Sequence, residues 1–192
     1  MAVIDLAALA PERLRPLRRV EYERLVELGC FEDEKIELID GILVAMSPQG
    51  TEHAYAVQQL AMLLIPALKG RAIVRVQSSL AASDDSEPEP DVVVVPRQDY
   101  SRQHPMHALL LIEVAESSLR KDRRIKGSLY ARTGVPEYWI VDVASRAIEV
   151  YRDPRDGAYA QVTRHHLGEI LRPLAFEDVE VPVAEVVPTA EP

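Results

Sequence analysis

The chain has 192 residues, 47% hydrophobic and 28% charged, which supplies a sizeable core and excludes an extended disordered polymer. A single cysteine, Cys30, excludes an internal disulfide and a thiolate zinc cluster, and fits a reducing cytoplasm. The formal net charge of -9 argues against indiscriminate coating of nucleic acid by long-range attraction, while leaving room for a local basic surface or a metal bridging acids to phosphate.

Met1 to Ala10 lacks the basic start and long apolar stretch of a signal peptide. No apolar run approaches the ~20 residues of a membrane span, so a soluble, cytoplasmic protein is expected. Arg19 to Leu28 has helical spacing in Val20, Leu25 and Leu28, with Gly29 as the stop. Lys35 to Met46 alternates about Asp40-Gly41, a strong signal for a tight hairpin, and puts Glu37 on the face opposite Ile36 and Leu38. Thr51 to Leu68 reads as a long apolar helix capped by Thr51 and closed by Gly70, packed on a sheet. Ala72 to Gln77 is a strand and Ala82 to Pro90 an acidic polar loop.

Two strand-forming runs follow, Asp91 to Val95 and Leu109 to Val114, rich enough in Val, Leu and Ile to be buried on both faces. Ser117 or Ser118 caps a helix running to about Thr133, with Gly134 as its stop. Strands are expected at 137–141, 147–151 and, after the Asp156-Gly157 turn, 159–165, with short ones near Ile170 and Val179. Buried Trp139 and Tyr138 belong to the core rather than to base stacking. The order predicts an α/β domain with a mixed central sheet flanked by helices and extra C-terminal strands. The expected organisation is a single domain over 1–192, with its core about 18–155, C-terminal strands 156–187 and a tail 188–192.

Asp91 opens the first apolar run and Glu113 stands near the end of the second, so antiparallel pairing would bring both acids to one sheet edge. Buried acids are rare unless paired or bound to a metal, which makes this pair a candidate divalent-cation site. The other reading is that Asp91 is a turn residue after Pro90 and Glu113 ends an exposed strand. Beyond Glu113, Arg120, Lys121, Arg123, Arg124 and Lys126 outnumber Asp122, a basic patch suited to phosphate. Asp122, Lys126 and Tyr130 recur every four residues on one helix face, from which Lys126 can reach back towards the acids. Taken alone, Asp122 reads as a solvated residue in an i,i+4 ion pair with Lys126.

Glu37-Leu38-Ile39-Asp40-Gly41, Met46-Ser47-Pro48, Glu52-His53, Pro90-Asp91, Glu113-Val114, Asp122, Lys126, Tyr130 and Gly134 to Asp142 together resemble the Uma-two type family of restriction-endonuclease-like proteins, in the PD-(D/E)XK nuclease superfamily. The resemblance covers roughly residues 18–155. It implies a restriction-endonuclease-like fold and a Mg²⁺ or Mn²⁺ site held by Asp91, Glu113 and the Val114 carbonyl, with Lys126 orienting the attacking water or stabilising phosphate charge. Glu37 matches the acid from an early element that completes such sites, though it also reads as the solvent face of an amphipathic strand. His53, Tyr130 and Asp122 are accessory positions, and His53 also reads as an ordinary structural histidine. The chain departs from the superfamily pattern at Ala115, where Glu-x-Lys would place a lysine, and at Glu116-Ser117, where Ser-Pro is common. The expected activity is metal-dependent hydrolysis of phosphodiester bonds in DNA, with a homodimer as the natural way to cut two strands. The alternative is a non-catalytic module that keeps the fold and binds nucleic acid or a protein through the Arg120 to Lys126 patch.

Overall fold

The computed structural model of the chain describes residues 14–188, so the outer ends of the expected 1–192 domain, including all of its tail but Pro188, lie outside the described residues. Six strands form a central sheet in the order β3 (Ala72–Val76), β4 (Val92–Pro96), β5 (Leu110–Ala115), β6 (Glu137–Asp142), β7 (Ala147–Arg155) and β8 (Ala158–His166). All neighbours are antiparallel except β5 and β6, which run parallel and therefore need a crossover between them. That crossover is helical, in three contiguous pieces: α3 (Leu119–Lys121), a π-turn (Asp122–Lys126) and α4 (Gly127–Arg132).

Period-two alternation distributes the apolar side chains between two cores. Val92, Val94, Ile112, Trp139 and Val141 point to one face, where α2 (Thr51–Ala67) covers them with Val57, Leu60 and Leu64. Val93, Val95, Leu111, Tyr138 and Ile140 point to the other, against Leu129 and Tyr130 of the crossover. The C-terminal segment adds little strand, only β9 (Ile170–Leu171) paired with β10 (Val181–Pro182), and then α5 (Val183–Val186). Its Phe176, Val179, Val181, Val183 and Val186 instead close the α2 side of the core.

Several local expectations change. In α1 (Arg19–Glu27) the stripe of Val20, Leu25 and Leu28 does not face the core: Val20 and Leu28 are exposed, and the buried residue is Tyr22, whose hydroxyl donates to the Ile36 carbonyl. Thr51 does not cap α2; it is the first helical residue, and Gly50 occupies the cap with its N–H donated to the Glu116 carboxylate at 3.1 Å. Glu116 thus supplies from a neighbouring loop the negative charge that a helix start favours. Neither Ser117 nor Ser118 caps the crossover, because the Ser118 hydroxyl is spent on Asp122. The acidic loop 82–90 is partly buried: Ser86 and Glu87 are covered, and Glu87 bridges to Leu38 through both backbone hydrogen bonds.

The hairpin of β1 (Ile36–Ile39) and β2 (Ile42–Ala45) forms a separate two-stranded sheet. Asp40 and Gly41 turn it with φ of 48° and 75°, the paired positive values of a type I′ turn. Its tip is clamped, as Gly41 donates to the Asp85 carbonyl and accepts from the Leu17 N–H, and a Cβ on Gly41 would collide with Pro16. Gly41→Ala therefore combines positive-φ strain with a backbone clash. It is expected to lower the unfolding free energy in urea by about 1–3 kcal/mol while leaving the m-value unchanged.

Candidate functional site

The antiparallel register aligns Val92 with Ile112, so Asp91, one residue before β4, stands beside Glu113 of β5 at one edge of the sheet. Each carboxylate is held by different partners. Asp91 Oδ2 accepts the Val114 backbone N–H at 2.8 Å, and Oδ1 lies 3.1 Å from His53 Nε2 in the first turn of α2. Glu113 Oε1 accepts from Lys126 Nζ at 2.9 Å and from the Tyr130 hydroxyl at 2.7 Å, while Oε2 takes no hydrogen bond among the described residues. Burial pushes the Glu113 carboxyl up to about 8, with Asp91, Asp122 and Glu37 adding to the rise and Lys126 opposing it.

Lys126 is itself 3% exposed and sits between two acids, with Nζ 3.1 Å from Glu37 Oε2 as well as 2.9 Å from Glu113. Burial alone would push the ammonium towards neutrality, but the Glu113 and Glu37 carboxylates outweigh it and hold its pKa above the ordinary lysine value. Glu37 is completely buried, not the solvent face of its strand. Its other oxygen takes Lys121 Nζ at 3.0 Å, and the two lysines outweigh burial to hold its carboxyl below the ordinary range.

The π-turn explains why Lys126 points inward. A wider turn adds a residue to the helical circuit, and its Gly127 N–H bonds to the Asp122 carbonyl, which also accepts from Tyr138 at 3.3 Å. The expected Asp122–Lys126 ion pair does not form, because Lys126 has two carboxylates at the sheet edge. Asp122 is buried rather than solvated and is bonded by Ser118, and burial raises its carboxyl. The basic segment does not present one surface either. Lys121 and Lys126 turn to Glu37, Arg123 pairs with Glu149 beside Tyr151, and Arg120 and Arg124 are exposed.

Asp91, Glu113, His53, Lys121, Asp122 and Lys126 line a polar pocket of about 90 Å³, walled also by Gln49, Gln77 and Glu89, with Glu37 and Tyr130 buried behind it. That is room for an ion with a few waters. Lys121 as a partner of Glu37, and Gln77 as part of the wall, escaped the reading of the sequence. Gln77 has a positive φ of 46° just after β3, a backbone signal with no trace in residue type.

Two other buried acids are matched by arginines, Glu137 by Arg152 and Asp142 by Arg164. Here four buried acids, Glu37, Asp91, Glu113 and Asp122, face two lysines, Lys121 and Lys126, a deficit of two positive charges when all are ionised. Among the described residues no three His, Cys, Asp or Glu side chains close on a point as a complete metal cage. Two hard carboxylates and one undonated oxygen in a polar pocket nevertheless fit Mg²⁺, which takes one or two carboxylates and keeps most of its waters.

The chain matches, over residues 19–184, the family model Uma2, described as "Putative restriction endonuclease", and it belongs to that family. The match runs past residue 155, through the C-terminal strands. Among solved structures it is similar to a putative nuclease belonging to DUF820 from Anabaena variabilis, with a TM-score of 0.69 at 15% identity, over 89% of this chain and 97% of that one. That likeness gives the fold, restriction-endonuclease-like with a mixed sheet between helices. A weaker similarity, TM-score 0.40 and 17% identity, links 57% of this chain to 12% of the type IIG restriction endonuclease BpuSI. No curated protein matches the chain. No described helix is long and apolar enough to cross a membrane.

Removing the cation from between two buried acids leaves Glu113 uncompensated and Glu37 with Lys121 alone. Lys126→Met is expected to cost about 3–5 kcal/mol of folding stability at pH 8, read from urea unfolding. A cost below about 1 kcal/mol would show that Glu37 and Glu113 do not depend on it.

Proposed function

We propose that the protein is a divalent-metal-dependent endonuclease acting on DNA, with Mg²⁺, or Mn²⁺ in its place, held by Asp91 and Glu113. The observation that carries the reading is the charge balance of the pocket: two carboxylates side by side at a sheet edge, in a group of buried acids that outnumbers its lysines by two. Membership of a family described as restriction endonucleases supports hydrolysis of nucleic acid as the chemistry.

When bound, the cation neutralises phosphate charge and eases loss of a proton from water. The chain's residues do the rest. His53 and the Val114 N–H fix the Asp91 carboxylate, and Lys126 with Tyr130 fixes Glu113, so both acids are oriented before a metal arrives. The Val114 carbonyl is a further ligand in this reading. Lys126 keeps its proton and therefore serves as a fixed cation rather than a base, stabilising negative charge that develops on the phosphate and orienting the attacking water. Glu37 assists by holding that ammonium in place, and Lys121 holds Glu37. Glu37, Asp91, Glu113 and Lys126 are thus the catalytic set. Asp122, tied to Ser118, adds negative charge at the pocket wall, and the outward Arg120 and Arg124 are left to meet the phosphate backbone. A homodimer in the cytoplasm is the assembly this reading favours for cutting both strands.

The alternative of a non-catalytic binding module needs Arg120, Lys121, Arg123 and Arg124 as one basic surface, and the ion pairs of Lys121 and Arg123 support it poorly. Calorimetric titration of Mg²⁺ and Mn²⁺, with a parallel plasmid-nicking assay, separates the two readings. The wild type is expected to bind and nick, and Asp91→Ala or Glu113→Ala to lose at least about 100-fold of the nicking rate. Full metal-dependent nicking by Asp91→Ala would sink the assignment.

A further inference from the structure

A second cavity adjoins the metal pocket, sharing Lys35 and Glu89 as common wall. At about 750 Å³ it falls within the size range of about 300–1,000 Å³ typical of small-molecule sites. Two polar atoms on its lining are buried without a hydrogen bond among the described residues, although the Glu87 carboxylate also faces Ser79 and the Glu23 carboxylate. Glu87 is 4% exposed, yet its Oε2 is buried without a partner among the described residues, and so is Arg75 Nε. Such an unbonded acceptor and donor each carry a desolvation cost that a ligand would relieve.

Neither group is loosely placed. Glu87 is locked by its two backbone hydrogen bonds to Leu38, and its Oε1 lies 3.6 Å from His104 Nε2. Arg75 belongs to β3, and its guanidinium lies over the Tyr100 ring at 5.8 Å from the centroid. The wall also carries the aromatic rings of Phe31 and Tyr100, with Phe31 stacked on buried Tyr22 at 5.9 Å between centroids. A rigid acceptor, a rigid donor and an aromatic wall are what an unstacked base requires.

We infer that this cavity holds a nucleobase of the strand being cut, guanine in preference to the others, with Glu87 accepting from its ring and amino N–H groups and Arg75 donating to its carbonyl oxygen. The inference rests on the endonuclease reading for the strand, and on Glu87 and Arg75 alone for the base. Every base offers one donor beside one acceptor. Guanine alone sets two adjacent N–H groups, N1 and the 2-amino group, against a carboxylate while leaving O6 for an arginine. The shared wall makes the base a near neighbour of the phosphate at Asp91 and Glu113, so the two cavities would read and cut one strand.

The test is binding of guanosine, adenosine, cytidine and thymidine to the full chain without metal, followed by two-dimensional amide NMR. It is run at pH 8, above the value of about 7 to which burial and the Glu23 carboxylate raise Glu87. Guanosine is expected to bind about tenfold more tightly than the rest, perturbing the amides of Arg75 and Glu87. Glu87→Gln, which keeps the shape, and Arg75→Lys, which keeps the charge but removes Nε, are each expected to erase that preference. Asp91→Asn should abolish nicking and spare nucleoside binding, so the two readings fail separately. A wild type that nicks plasmid but binds no nucleoside at millimolar concentration, or binds all four equally, would overturn the base site. A preference for guanosine in a chain that never nicks would uphold it and overturn the endonuclease.

Discussion

One ammonium group carries the arrangement. Lys126, almost without solvent, lies within 3.1 Å of carboxylates from two separate sheets, Glu37 of the hairpin and Glu113 of the central sheet. Take it away and two buried negative charges face each other at low dielectric, where repulsion is many times its value in water. This contact ties the hairpin, the crossover and the sheet edge to one another, beside the apolar packing of Ile39 with Leu129 and Tyr130. The same contact leaves Glu113 with an oxygen free of donors, turned to a pocket short of positive charge.

The topology makes the position of that lysine economical. Because β5 and β6 are parallel, the chain must leave the end of β5, where Glu113 stands, and return by a crossover that passes over the same edge. A lysine missing from the strand at Ala115, a position buried against the second core, can be replaced from the first turns of that crossover. The π-turn then sets its direction. Tyr130, one turn on, reaches the same carboxylate oxygen, so helix and strand are joined by two hydrogen bonds at one atom.

How much of this the sequence makes legible depends on distance along the chain. The strands, the Asp40-Gly41 turn and the convergence of Asp91 with Glu113 all follow from period-two runs and residue types within a few positions of each other. The family and its fold follow from the order of the motifs. Glu37 is the instructive case, named by the family resemblance and hidden from the local pattern. Alternation puts it opposite Ile36 and Leu38 and suggests water, but that face is covered by the crossover, whose lysines lie far away in sequence. The Asp122–Lys126 pair fails for a related reason, since i,i+4 spacing assumes a regular helix and says nothing of a π-turn. Thr51 and Ser118 have the right residue types for caps, yet neither side chain caps: Gly50 takes the α2 cap position with its N–H on the distant Glu116, and the Ser118 hydroxyl is drawn to Asp122.

The pocket and the groups that hold its side chains draw on residues scattered from Glu37 through His53, Asp91 and Glu113 to Lys126 and Tyr130, with no two neighbouring groups from the same secondary-structure element until the crossover. During synthesis the first three strands of the central sheet precede the lysine that neutralises their acids. A nascent chain that stops short of residue 126 has Glu37 and Glu113 without their shared cation, and gains nothing by burying them. Long-range closure of this kind comes late in folding. The hazardous part of the molecule is therefore assembled only once the crossover has left the ribosome, a delay built into the order of the residues.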